Sequence, residues 1–158
     1  MTPAWDQWRI ASHGRRSYSQ TVLMNAPSSA IETTDREQRG PVVCVVDDDA
    51  SLLRALRRLL RTAGFGVEVF SSAEEYLRFD RTRADCLLLD VRLEGMSGLE
   101  LQERLVAAGS MIPVVFMTAH DDHATRERAS RAGSVDYLRK PFDDESLIGA
   151  INRAIGRA

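Results

Sequence analysis

The sequence predicts an α/β fold: a doubly wound, five-stranded parallel sheet with helices on both faces. Three observations predict it. Five short apolar runs recur after residue 41: VVCVV, GVEVF, CLLL, PVVFM and VDYL. Each run is followed by a segment with helical spacing or a helix-capping residue. Hairpin signals of the Asn-Gly type are absent. Continuous apolar strands suit a sheet buried on both faces, and strand–helix alternation makes it parallel.

Val42–Val46 is the first strand. Asp49–Ser51 opens a helix through about Ala63, with Leu53, Leu56 and Leu60 as its apolar stripe beside Leu52 and Leu59, and Gly64 stops it. Gly66–Phe70 is the second strand. Ser72 and Glu75 predict a capping box for a short helix carrying Tyr76 and Leu77. Cys86–Leu89 is the third strand. Ser97–Ala108 is a helix whose buried side is expected to be Leu99, Leu101, Leu105 and Val106. Pro113–Met117 is the fourth strand, with proline tolerated at its first residue. Asp122–Ala132 is a polar helix, Val135–Leu138 the fifth strand, and Asp143 caps a last helix to about Ile155.

Composition bounds the function. The chain has 158 residues, is 44% hydrophobic, and carries 23 acidic and 21 basic side chains for a net charge of -2. That length suits one ordinary domain with a real core. The charge balance argues against a dedicated nucleic-acid binder, and no apolar run is long enough to span a bilayer. Cys44 and Cys86 are too few for a disulfide scaffold; both are expected to pack as small hydrophobes in adjacent strands, with a redox role as the rival reading. Lysine occurs once, at Lys140, and every other basic side chain is arginine. Residues 1–40 lack an apolar period and are expected to be a disordered or weakly ordered extension of the domain at 41–158. Trp5 and Trp8 there suggest a docking element and Arg9, Arg15 and Arg16 a transit peptide, neither of them favoured over a plain tail. Met24 is an alternative start.

Ligands of such a sheet sit beyond the C-terminal strand ends. Strand 1 ends in Asp47-Asp48-Asp49, strand 3 in Asp90, strand 4 in Thr118, and strand 5 in Lys140-Pro141. Two carboxylates 4 Å apart repel by about 4 kcal/mol at an effective dielectric near 20, so the cluster needs a cation, a lysine or a proton. All-oxygen ligands suit Mg²⁺, and a hydroxyl and an ammonium nearby suit the remaining oxygens of a phosphoryl group. The chemistry this suggests is phosphoryl transfer to or from an aspartate.

VVCVVDDDASLLRALRRLL, LLLDVRLEGMSGLEL, VVFMTAH and VDYLRKPF resemble the response regulator receiver domain, the CheY-like family, with the flavour of FixJ-type regulators. The resemblance covers about residues 41–158. It implies the flavodoxin/CheY-like (βα)5 topology with strand order 2-1-3-4-5, a signalling domain rather than an enzyme, two-component phosphorelay, and a cytoplasmic setting. Asp90 resembles the phosphoacceptor. Asp47 and Asp48, with Asp90 and the backbone carbonyl of Arg92, resemble the ligands of Mg²⁺ or Mn²⁺. Thr118, Lys140 and Tyr137 resemble the switch residues, with a cis peptide before Pro141. Arg92 and His120 stand where family members tune phosphoryl lifetime. The implied partners are a sensor histidine kinase, an unidentified output protein and a phosphorylation-dependent homodimer, with no nucleic acid through this domain and no membrane.

Several residues depart from the pattern or stay open. Glu94 stands where proline is frequent, so the loop after Asp90 is expected to be more mobile; Glu94 itself is expected to be solvated rather than a metal competitor. Glu127, Arg128 and Arg131 make an apolar dimer patch doubtful and leave an ionic one. Arg54, Arg57, Arg58 and Arg61 form a basic stripe, read as a solvated face or as a docking surface for an acidic partner. His120 and His123 point only weakly to metal. Asp49 is expected to be a helix N-cap. Two rival functions remain. In a DNA-binding regulator the effector domain lies outside this chain; if Ala158 is the true end, output is protein–protein. A haloacid-dehalogenase-type phosphatase would make Asp47 the nucleophile and Asp49 the acid, with Thr118, Lys140, Asp121 and Asp122 as later motifs.

Overall fold

The computed structural model describes residues 40–79 and 84–157. The expectations placed on residues 1–39, Trp5, Trp8 and Met24 among them, lie outside the described residues. The elements alternate as β1 (Val42–Val46), α1 (Ala50–Thr62), β2 (Gly66–Phe70), α2 (Ala73–Leu77), β3 (Cys86–Asp90), α3 (Gly98–Ala107), β4 (Val114–Thr118), α4 (His123–Arg131), β5 (Asp136–Arg139) and α5 (Asp144–Ala154). The five strands form one sheet in the order β2-β1-β3-β4-β5. Every pairing is parallel. The order reverses between β1 and β3, so their C-terminal ends flank the crevice where such sheets bind ligands.

The strands split their side chains between two cores because successive residues point to opposite faces. Val43, Val45, Cys86, Leu88, Val115 and Met117 pack against α1 and α5 through Leu53, Leu56, Leu60, Leu147 and Ile151. Cys44, Val46, Leu87, Leu89, Val114 and Phe116 pack against α2, α3 and α4 through Tyr76, Leu99, Leu105 and Ala129. Cys44 and Cys86 thus lie in neighbouring strands but face opposite cores. Burial pushes each thiol up to about 12, which removes the thiolate that redox chemistry needs.

Four local expectations shift. Val106 is 54% exposed; it follows Leu105 by one residue, about 100° around the helix, and the buried neighbour is Gln102 instead. The Ser72–Glu75 box is half formed: Ser72 Oγ accepts the Glu75 N–H at 3.1 Å. The Glu75 carboxylate, though, takes the Ser71 N–H at 2.7 Å and the Ser71 hydroxyl at 2.9 Å. β4 starts at Val114 and β5 at Asp136, each one residue late. Pro113 lies just outside β4, its carbonyl accepting the Leu87 N–H, and Val135 is exposed. The loop after Asp90, which contains Glu94, is anchored at Met96 by one long-range hydrogen bond. The Met96 N–H donates to Glu74 Oε1 at 3.0 Å, and Gly95 takes the left-handed φ of 75° that brings the loop there.

α4 is held differently from the other long helices. Ala129 is its one buried side chain. Polar ties do the rest: Gln102 Nε2 donates to the Ala132 carbonyl at 2.9 Å, and Asp122 caps the N-terminus through the Thr125 N–H at 2.8 Å. Leu105→Ala is expected to cost about 2–5 kcal/mol in urea unfolding, whereas Val106→Ala stays within about 0.5 kcal/mol. Equal losses would contradict the register of α3.

Candidate functional site

The strand ends bring Asp47, Asp48, Asp90 and Lys140 together. One carboxylate oxygen from each of Asp47, Asp48 and Asp90 lies within 4.8 Å of the others. Asp47 is fully buried at the end of β1, and Asp90 is buried at the end of β3. Asp48 is exposed on the rim. Lys140 Nζ donates to Asp47 Oδ2 at 2.6 Å and lies 3.6 Å from Asp90 Oδ1. The other Asp47 oxygen accepts the Asp49 N–H at 2.9 Å. Asp49 turns away, its carboxylate accepting the N–H groups of Ser51 and Leu52 as the α1 N-cap. The peptide between Lys140 and Pro141 is cis.

Burial is the main reason the Asp90 carboxyl is pushed up to about 6. The Lys140 ammonium pulls it down, and the Asp47 and Asp48 charges push it up again. Three carboxylates therefore face one ammonium, which is the charge imbalance a divalent cation relieves. All the donors are oxygens, as Mg²⁺ prefers, so the residues fit a hard divalent ion. The Arg92 N–H reaches Asp90 Oδ1 at a long 3.4 Å. Arg92 is exposed beside the cluster.

Gly98 is a site residue the sequence reading missed. A Cβ on it would lie 2.0 Å from the Asp90 carbonyl oxygen, so only glycine lets α3 begin this close behind the acidic cluster. The signal was present as Ser97-Gly98 at a helix start, but it reads there as capping alone.

Thr118 ends β4, buried, with its hydroxyl engaged by the following loop. Oγ1 donates to the His120 carbonyl at 3.0 Å and accepts the His120 N–H at 3.1 Å. His120 thus acts on Thr118 through its backbone, and its imidazole plays no part in those bonds. Tyr137 on β5 pairs in register with Phe116, two residues before Thr118 and on the same face. Burial raises the Tyr137 phenol above its ordinary value. The hydroxyl reaches toward Thr118 without a hydrogen bond of good geometry.

Other candidates fall away from the site. His120 and His123 belong to no ligand cluster; among the described residues the one such group is Asp47, Asp48 and Asp90. The phosphatase reading loses its parts, because Asp49 and Asp122 cap helices and Asp121 pairs with Arg126 at 2.6 Å. Arg54, Arg58 and Arg61 are exposed and Arg57 half-buried, so the basic stripe on α1 faces solvent.

Comparison with known proteins adds a family. The family model described as the response regulator receiver domain matches residues 43–152. The response regulator protein TodT of Pseudomonas putida is 43% identical over 118 residues, 74% of this chain and 52% of TodT. The transcriptional regulatory protein FixJ of Bradyrhizobium diazoefficiens is 39% identical over 117 residues, 73% of this chain and 57% of FixJ. A solved response regulator receiver protein from Burkholderia phymatum superposes with a TM-score of 0.66 at 47% identity, covering 75% of this chain and 97% of its own. The chain spans about half the length of the curated relatives it matches. No helix among the described residues is long and apolar enough to cross a membrane.

The raised Asp90 carboxyl has a stability consequence. Its folded value of about 6 lies above the ordinary 3.8, so the folded state binds this proton more tightly than the unfolded chain does. Ionised Asp90 therefore costs stability above pH 6, and the cost fades as pH falls from 6 to 3.8. In metal-free buffer, Asp90→Asn is expected to stabilise the protein at pH 7.5 by about 1–3 kcal/mol. By pH 4 the gain should vanish. Equal effects at both pH values would contradict this origin.

Proposed function

Because the chain belongs to the response regulator receiver family, we propose that it accepts a phosphoryl group on Asp90 from a sensor histidine kinase. The observation that carries this reading is the cluster of Asp47, Asp48 and Asp90 around a single ammonium, Lys140. Asp47, Asp48 and Asp90, with the Arg92 backbone carbonyl, would hold Mg²⁺ or Mn²⁺. The bound ion supplies positive charge that offsets repulsion between the incoming phosphoryl group and the carboxylates.

This chain's own residues do the rest. Asp90 must be ionised to attack, and a pKa near 6 leaves it largely so at neutral pH. Once its charge becomes a phosphoryl dianion, Lys140 has a stronger partner than Asp47, and Thr118 can exchange His120 for a phosphoryl oxygen. Each such charge-assisted bond contributes about 1.5–3 kcal/mol. Two approach the roughly 5.5 kcal/mol that carries a two-state equilibrium from 1:99 to 99:1. The surface that moves is α4, β5 and α5, because Thr118 and Lys140 lead directly into it.

The basic stripe of α1 is the natural docking face for an acidic partner such as the kinase. Output passes by protein–protein contact, through a homodimer along the charged α4 face, or through an effector domain such as those of longer relatives. Arg92, two residues after Asp90, and His120, two residues after Thr118, would set how long the phosphoryl group survives. The cytoplasm, where kinases meet ATP, is the compartment this reading implies.

Labelling with acetyl phosphate and Mg²⁺ tests the assignment. Wild type is expected to take up one phosphoryl group and Asp90→Asn none; persistent labelling of the variant would overturn it. Lys140→Arg is expected to accept the group yet switch poorly, because a planar fork is bulkier than an ammonium on a slim stem. Normal phosphorylation-dependent change in α4 and β5 amide NMR shifts would remove the special role of the lysine.

A further inference from the structure

Tyr137 presents a physical problem. Its hydroxyl is buried and reaches toward Thr118 without a hydrogen bond of good geometry, an arrangement that favours the ring swinging out to water. Something else must keep the ring in. Packing supplies part: the ring joins the cluster that includes Phe116 and Ala129. That cluster is thin here, because α4 contributes only one buried side chain.

The remaining contact is a cation. The Arg126 guanidinium carbon lies 5.4 Å from the centre of the Tyr137 ring, within the range where the ring's negative face attracts a cation. The guanidinium does not float free there. Its Nη2 donates to Asp121 Oδ2 at 2.6 Å, and the Asp121 side chain is only 17% exposed. Asp121 belongs to the same loop as His120, whose backbone holds the Thr118 hydroxyl. One arginine on α4 thus touches both β5 and the loop that latches Thr118.

We infer that Arg126, anchored by Asp121, is a positioning residue that caps the Tyr137 ring and holds it inside the fold beside Thr118. The inference rests on the phosphoacceptor reading for its consequence, though not for its geometry. With the ring held inward, the space next to Thr118 is filled before any phosphoryl group arrives. The switch then has less to reorganise, and a phosphoryl mimic binds more tightly. The charged face of α4 gains a purpose beyond solvation.

The test uses the full chain labelled with 3-fluorotyrosine, the Tyr137 signal being identified by its loss in Tyr137→Phe. Without Mg²⁺ or phosphoryl mimic, the wild-type Tyr137 fluorine is expected to show little H2O/D2O solvent shift. Arg126→Met and Asp121→Asn should each expose it, while Arg126→Lys, which keeps a cation over the ring, should not. With Mg²⁺ and beryllofluoride, Arg126→Met is expected to bind about two- to fivefold more weakly than wild type, and Arg126→Lys within about twofold. A Tyr137 signal unmoved by Arg126→Met would overturn the inference. So would equal loss in the Lys and Met variants, which would mark a merely structural role. Beryllofluoride binding that survives in Asp90→Asn would instead overturn the phosphoacceptor reading and leave the fluorine result to decide the role of Arg126 alone.

Discussion

The ion pair between Lys140 and Asp47 joins two strand ends that lie 93 residues apart in sequence. Asp47 is fully buried and Lys140 mostly so, and neither charge could stand alone there. The pair fixes where the end of β5 meets the end of β1, and it sets the electrostatics of everything between them. Asp90 sits 3.6 Å from the same ammonium, close enough to feel it and too far to be satisfied by it. A pocket built this way is short of positive charge, and a divalent cation or a proton completes it. Such a pair is a poor device for stability, since an apolar replacement often serves better; its value lies in the state it leaves Asp90 in.

Much of the frame was legible in the sequence. The three most apolar runs became the central strands β1, β3 and β4, because a strand buried on both faces has no other composition available to it, while GVEVF and VDYL, each with an acidic residue, became the partly exposed edge strands β2 and β5. The strand-end residues then came together through topology alone: once β1 and β3 are neighbours, Asp47, Asp48 and Asp90 must converge. The single lysine was legible for a related reason. Arginine serves the solvated faces, as Arg54, Arg58 and Arg61 do on α1, whereas Lys140 reaches a crowded acidic pocket that a guanidinium fork would overfill.

What escaped the sequence is polar and long-range. Glu74 reaches from α2 to the Met96 N–H across 22 residues, and Gln102 reaches from α3 to the end of α4 across 30. Neither carries a periodicity, because a single hydrogen bond leaves no repeating mark. Gly98 escaped because its constraint comes from the Asp90 carbonyl behind it, not from its own neighbours in sequence. Val106 was misread because apolar content was counted where angle around the helix decides. These misses matter functionally: the loop after Asp90 and the placement of α4 depend on side chains that look, in sequence, like ordinary surface.

The dependence of the pocket on its ion pair is open to direct measurement by a double-mutant cycle. Lys140→Met, Asp47→Asn and the double variant would be unfolded in urea in metal-free buffer at neutral pH. Lys140→Met strands buried carboxylates and should be clearly destabilising, while Asp47→Asn in the same background should recover much of the loss. A coupling above about 1 kcal/mol is expected for a buried pair of this geometry. Additivity within about 0.5 kcal/mol would show that the two charges act independently and would contradict the central place given to their contact.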